Sequence, residues 1–133
     1  MIIALCSLVF SAYSQSLDEQ IRRVHNNYLE DYSLSSDHDV TYGKLDDDDY
    51  TYYTFTLKSY WTYRITAVCD GDCSDIDLVL YDENDNMIDD DLETDDYPIV
   101  GCKPSWTGKF KLKVKMVNCR VNPCGFKIAI FRK

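Results

Sequence analysis

The sequence predicts an antiparallel β-sandwich, preceded by a signal peptide at residues 1–14 and one short amphipathic helix. Three observations point there. Apolar and polar residues alternate in runs that recur about every ten residues from Tyr50 onward. Polar turns rich in Asp, Asn and Gly separate these runs. Cysteines downstream of the opening segment sit in closely spaced pairs. The 133 residues suit one domain, and 45% hydrophobic content with 11 Tyr supports a packed core despite 23 acids. A net charge of −9 argues against nucleic-acid binding, which depends on Lys and Arg neutralising phosphates.

Taken in order, residues 1–14 hold an uncharged apolar run followed by Ala12 and Ser14, the small-residue pair of a signal peptide cut after Ser14. No Lys or Arg precedes the run, and a buried strand is the alternative reading. The run is too short to span a bilayer, so no membrane anchor is expected. Residues 15–39 are read as an amphipathic helix and linker. Ser16 and Glu19 have the spacing of a capping box, Leu17, Ile21, Val24 and Tyr28 trace one apolar stripe, and residues 33–39 form the linker.

The domain is expected over residues 40–133. In the run YTYYTFTL, Tyr53, Phe55 and Leu57 share one face of a strand and Tyr52, Thr54 and Thr56 the other. Residues 60–69 alternate again after only Lys58-Ser59, which predicts a hairpin. The segment IDLVLY, residues 76–81, reads as an internal strand, and residues 82–86 as a turn. Another strand is expected at 97–103. The clearest alternation is KFKLKVKMV, with Phe110, Leu112, Val114 and Met116 facing inward and Lys109, Lys111, Lys113 and Lys115 in a row outside. Phe126 to Phe131 supplies the last strand. Residues 1–100 hold all 23 acids and five bases, whereas 101–133 hold nine bases and no acid. Interleaved strands would let these halves compensate each other, the alternative being a polyanion-binding stripe.

With Cys6 removed, five cysteines remain. The spacings C-x3-C and C-x4-C fit local disulfides, Cys69 with Cys73 and Cys119 with Cys124, leaving Cys102 odd. A bridge from Cys102 to a loop cysteine is the alternative. An odd cysteine set with local pairs suits a secreted or periplasmic protein.

YTYYTFTL, CDGDCSDIDLVLYDENDN and WTGKFKLKV, in that order, resemble the bacterial pre-peptidase C-terminal domain family over residues 40–133. The resemblance implies a jelly-roll-like β-sandwich and a free-standing, exported, non-catalytic binding or stabilising module. Family members usually carry Asn-Gly where this chain has Asn84-Asp85. Calcium ordering an acidic linker in collagen-binding relatives makes calcium a candidate cofactor here, although their ligands do not map cleanly onto this chain.

The densest acidic constellation is Asp70, Asp72, Asp75 and Asp77, alternating carboxylates of the kind that supply the six to eight oxygens calcium takes. Asp46, Asp47, Asp48, Asp49, Asp89, Asp90, Asp91, Asp95 and Asp96 are further donors, with solubility as the plain alternative role. Asp82, Asn84, Asn86 and Glu93 have the spacing of an EF-hand loop, but Met87 stands where that loop needs Gly. No nucleophile motif or phosphate loop occurs, and His25 and His38 both precede the sandwich, so an enzyme is not expected. The alternative is a small secreted hydrolase using paired carboxylates. A protein or polysaccharide partner is expected, with no nucleic acid.

Overall fold

The computed structural model describes residues 16–133, so the signal-peptide reading lies outside the described residues. Residues 16–28 are helical (α1). The strands are β1 (Ser33–Leu34), β2 (Thr41–Leu45), β3 (Tyr50–Leu57), β4 (Tyr63–Cys69), β5 (Cys73–Tyr81), β6 (Met87–Asp91), β7 (Ile99–Cys102), β8 (Gly108–Cys119) and β9 (Cys124–Arg132). All pairings are antiparallel. One sheet runs β1-β9-β4-β7, with β2 sharing the edge of β9, and the other runs β3-β8-β5-β6. They form the expected antiparallel sandwich.

The alternation in the sequence decides which side chains fill the space between the sheets. Phe110, Leu112, Val114 and Met116 of β8 and Ile76, Leu78 and Leu80 of β5 meet Tyr63, Ile65 and Ala67 of β4 and Phe126, Ile128 and Ile130 of β9. The second face of the β4/β9 sheet is also dry. Leu17, Val24, Leu29 and Tyr32 pack with Val68, Ala129 and Phe131, and Ile21 leans on them. The apolar stripe is thus corrected at one position. Tyr28 is 56% exposed, and Leu29 and Tyr32, beyond the helix end, turn inward instead. Ser16 is the first described residue and opens α1.

Residues 33–39 are tied down. Ser33 and Leu34 pair with Arg132 and Phe131, Asp37 bridges Arg132 at 2.6 Å and Lys58 at 3.3 Å, and His38 Nε2 donates to Thr56 O at 2.8 Å.

The hairpin expected between β3 and β4 does not form, because β3 pairs with β8 while β4 pairs with β7 and β9. Residues 58–62 instead arch from one sheet to the other. The Lys58 N–H donates to the Tyr63 hydroxyl at 3.0 Å and the Trp61 N–H to Lys58 O at 3.2 Å, which lets Leu57 and Tyr63 both enter the core. Strands β2 and β6 carry no clean alternation and were not expected. The turn at 82–86 is a true β5–β6 connection, with Asp85 at a φ of 63°, a left-handed conformation that Asp tolerates better than most residues.

Strand β6 closes the open side of the sandwich without joining the other sheet. The Asp91 carboxylate accepts the Ile99 N–H at 2.9 Å and Asp89 accepts the Gly101 N–H at 2.7 Å. Two alternate carboxylates thereby satisfy the outward N–H groups of β7.

The lysine row lies on the outer face of the β3/β8/β5 sheet. Lys111 pairs with Asp85 and lies over the Tyr52 and Tyr81 rings, Lys115 pairs with Asp48 at 3.2 Å, and Lys113 sits 4.7 Å over Tyr50. These contacts are local charge compensation.

Both local disulfides form, Cys69–Cys73 and Cys119–Cys124. Cys73 and Cys119 are register partners, so both staples lie at one end of the sandwich. Cys102 is a buried free thiol. Peptide mapping without reductant should therefore recover both local bridges, with Cys102 alkylated only after denaturation.

Asp89→Ala strands a backbone donor of β7 and should cost about 1–3 kcal/mol in a urea melt. Asp89→Asn retains an acceptor and should cost less.

Candidate cation site

The four acids of the 70–77 segment divide into two pairs. Asp70 is a turn residue. One of its oxygens accepts the Asp72 N–H at 3.0 Å and the other the Gly125 N–H at 2.7 Å, tying the β4–β5 turn to β9. Asp72 forms a 2.8 Å ion pair with Arg120. Both carboxylates serve the local fold.

Asp75 and Asp77 lie two apart on β5, where the ladder with β8 slips twice, between Cys73 and Asp75 and again between Asp75 and Ile76. Asp75 is only 8% exposed. One oxygen of each carboxylate, Oδ1, is buried without a hydrogen-bond partner. The loop after β6 crosses beside them, with the Ile76 N–H donating to Asp95 O at 3.0 Å. Among the described residues, the acids whose oxygens come within 4.8 Å of one another are Asp91, Glu93 and Asp95. Asp91 bears electrostatically on both Asp75 and Asp77.

The electrostatics follow from crowding. Burial pushes Asp77 up to about 6, with the Asp75 and Asp91 charges adding to it and Lys115 opposing. Burial also raises Asp75, while its contact with Asp77 and the Asp95 backbone hold it down. A contact between two carboxylates is a hydrogen bond only when one of them is protonated. As two anions, the pair has no donor for its buried oxygens. Burial raises Asp95 as well, opposed by the Tyr97 N–H and reinforced by Asp91, Glu93 and Asp96.

Asp75 and Asp77 on β5 thus lie in the field of Asp91 at the end of β6, and Asp91 in turn groups with Glu93 and Asp95 of the following loop, an accumulation of oxygens of the kind a hard cation takes. The sequence pattern contains Asp75 and Asp77, and Asp91 and Asp95 among its further donors. It misses Glu93 as their partner, although D-x-E-x-D places acids on alternate residues. Other acids are otherwise engaged. Asp47 accepts the Cys119 N–H at 2.7 Å, and Asp82 binds Asn84 and Asn86 in the turn that resembles an EF-hand by spacing alone.

An acid with a raised folded value destabilises the native state once ionised. The cost is absent below the unfolded value of 3.8, grows as pH rises, and is complete above about 6. In chelator, Asp77→Asn should therefore raise the melting temperature by several degrees at pH 7 and change it little at pH 4.

No family model matches the chain, and no curated protein does. Among solved structures it is similar to the crystal structure of the pre-peptidase C-terminal domain of a collagenase from Bacillus anthracis. The TM-score is 0.53 at 18% identity, covering 69% of this chain and 87% of that one. The likeness is one of architecture: the chain has the fold of a pre-peptidase C-terminal domain.

Proposed function

We propose that the chain is an exported, non-catalytic β-sandwich module that holds calcium between Asp75, Asp77, Asp91, Glu93 and Asp95. The observation that carries this reading is the buried, donorless oxygens of Asp75 and Asp77 beside Asp91, with which Glu93 and Asp95 are grouped. A divalent cation supplies what those oxygens lack and removes the mutual repulsion of the cluster. This narrows the expected ligand set, because Asp70 and Asp72 already have partners. Export to an oxidising compartment is supported by the two disulfides. A non-catalytic role is supported by the employment of both histidines in anchoring the N-terminal segment. His25 Nε2 donates to Tyr32 O at 2.7 Å and His38 bridges Ser35 and Thr56.

Calcium is favoured over magnesium because a loop and a bulged strand offer a flexible oxygen set, whereas magnesium demands a strict octahedron. Ligand that binds only the folded state stabilises by about 2.7 kcal/mol at a hundredfold excess over Kd. Thermal melts at constant ionic strength should show a larger rise in calcium than in magnesium. The difference should vanish in Asp75→Asn with Asp77→Asn and survive in Asp72→Asn. Equal rises for both metals, or a calcium rise untouched by the double change, would overturn the site.

The second reading, a hydrolase, draws on the same Asp75–Asp77 pair, since a carboxyl raised to about 6 is suited to general-acid work. It requires turnover of glycan or peptide substrates that falls to background in Asp77→Asn. The module reading expects no turnover in either form.

A further inference from the structure

Among the described residues, most strands at the sides of the two sheets are guarded against adding a neighbour. Strand β1 has two residues, β2 carries Lys44, β6 carries three acids, and Asp89 and Asp91 hold the N–H groups of β7. Strand β3 has no such device. Its eight residues, YTYYTFTL, include no charge, no Pro and no Gly, and it pairs on one side only, with β8. Asp49 O accepts the Met116 N–H at 2.9 Å. By antiparallel alternation the backbone groups of residues 51, 53, 55 and 57 therefore face β8, and those of Tyr50, Tyr52, Thr54 and Thr56 face outward. Side chains close two of these outward groups. The Tyr50 N–H donates to Asp49 Oδ1 at 2.8 Å, and Thr56 O accepts from His38 Nε2 at 2.8 Å. Between the two caps, the N–H and C=O groups of Tyr52 and Thr54 have no partner among the described residues, and both residues are exposed.

We infer that the β3 edge is an interface between two copies of this chain, joined antiparallel about a two-fold axis that passes beside Tyr53. The open groups are self-complementary in that register. Tyr52 of each copy stands opposite Thr54 of the other, and each such pair exchanges two backbone hydrogen bonds, four in all across the axis. The capped groups obey the same register. Tyr50 N–H and Thr56 O would be each other's partners in it, so closing both leaves neither copy with a stranded group. The caps also bound the ladder, which keeps the interface small and the dimer reversible. On the outer face the pairing sets the Tyr52 ring beside the second copy's Thr54, an aromatic and β-branched pair of the kind that stabilises sheets, and β3 brings no charge to the axis. A two-fold joint consumes the edge it uses, so association stops at two copies. Residues 1–15 join the described chain at Ser16, in α1, which packs on the outer face of the opposite sheet. A second copy is thus better placed than that segment to cover β3.

The test follows the full chain by sedimentation equilibrium and by amide hydrogen exchange resolved by residue, in chelator so that metal at the acidic cluster plays no part. The expected result is a reversible equilibrium between monomer and dimer. Association should strengthen as salt is raised, since two copies of net charge −9 repel each other. The Tyr52 and Thr54 N–H groups should exchange freely in dilute solution and slow in proportion to the fraction dimerised. Thr54→Pro removes an outward donor, a change that an edge strand tolerates. It takes two bonds from the dimer and should weaken association by more than about tenfold, whereas Thr54→Val keeps the N–H and should associate like the parent. Melting temperatures in dilute solution confirm that both variants are folded, and the exchange measurement on the parent decides alone if Thr54→Pro is not. The inference is overturned by a monomer at millimolar concentration, which would leave the edge to a strand of another protein. A dimer untouched by Thr54→Pro, or one in which the Tyr52 and Thr54 N–H groups stay unprotected, also overturns it. So does protection of both groups at every concentration, which would assign the edge to residues 1–15.

Discussion

The β4/β9 sheet must be dry on both faces, and the rest of the structure is arranged around that demand. Its inner face meets the other sheet and its outer face meets α1 and the turn that follows. Strands β4 and β9 are consequently apolar almost continuously, so Thr66, buried among them, hands its hydroxyl proton to Pro98 O at 2.9 Å. The β3/β8 pair answers only one dry face, and there the sequence alternates cleanly. The helix is therefore a third layer of the domain. Its Asp18 reaches Lys127 of β9 at 2.7 Å, and His25 stacks on Phe131 at 4.9 Å between centroids.

Acids dominate the composition, but their positions give them distinct duties. Asp47, Asp70 and Asp82 accept backbone N–H groups and so shape turns. Asp48, Asp72 and Asp85 meet cations. Asp75 and Asp77 instead crowd each other and Asp91, which groups in turn with Glu93 and Asp95. Asp91 belongs to two settings at once, since one carboxylate oxygen holds the Ile99 N–H of β7 and the other accepts the Glu93 N–H at the start of the acidic loop. Neutralising the crowd would thus bear on the edge of the opposite sheet through a shared side chain.

The sequence made the sandwich legible wherever a strand has one wet face. Strand β8 could be assigned residue by residue because Lys and apolar side chains alternate along it. Local spacing misled where long-range pairing decided the outcome. Two polar residues between β3 and β4 look like a hairpin turn, yet Leu57 and Tyr63 are drawn into the core from opposite sheets. Strand β6, MIDDD, lacks apolar alternation because its acids satisfy a neighbouring strand, a duty invisible before the fold brings β7 alongside. The site was half legible for the same reason. Asp75 and Asp77 sit in the conspicuous acidic stretch, but Asp91 reaches their neighbourhood only because the β5–β6 connection lays β6 alongside. Asp70 and Asp72 looked equivalent to them until the backbone N–H of Gly125 and the guanidinium of Arg120 claimed them.

The two carboxylates that cap β7 also decide what that strand can recruit. A strand ending a sheet normally offers a template on which a second polypeptide can lengthen the ladder, since its outward donors await acceptors. Here Asp89 and Asp91 stand in for the missing backbone carbonyls at the spacing a real strand would use, and their own strand already belongs to the opposite sheet. An incoming chain would have to displace charged groups already bonded at 2.7 and 2.9 Å to gain neutral bonds in return. On this side the domain carries a counterfeit neighbour that ends strand propagation, allowing it to persist at high concentration without growing into fibres through this edge.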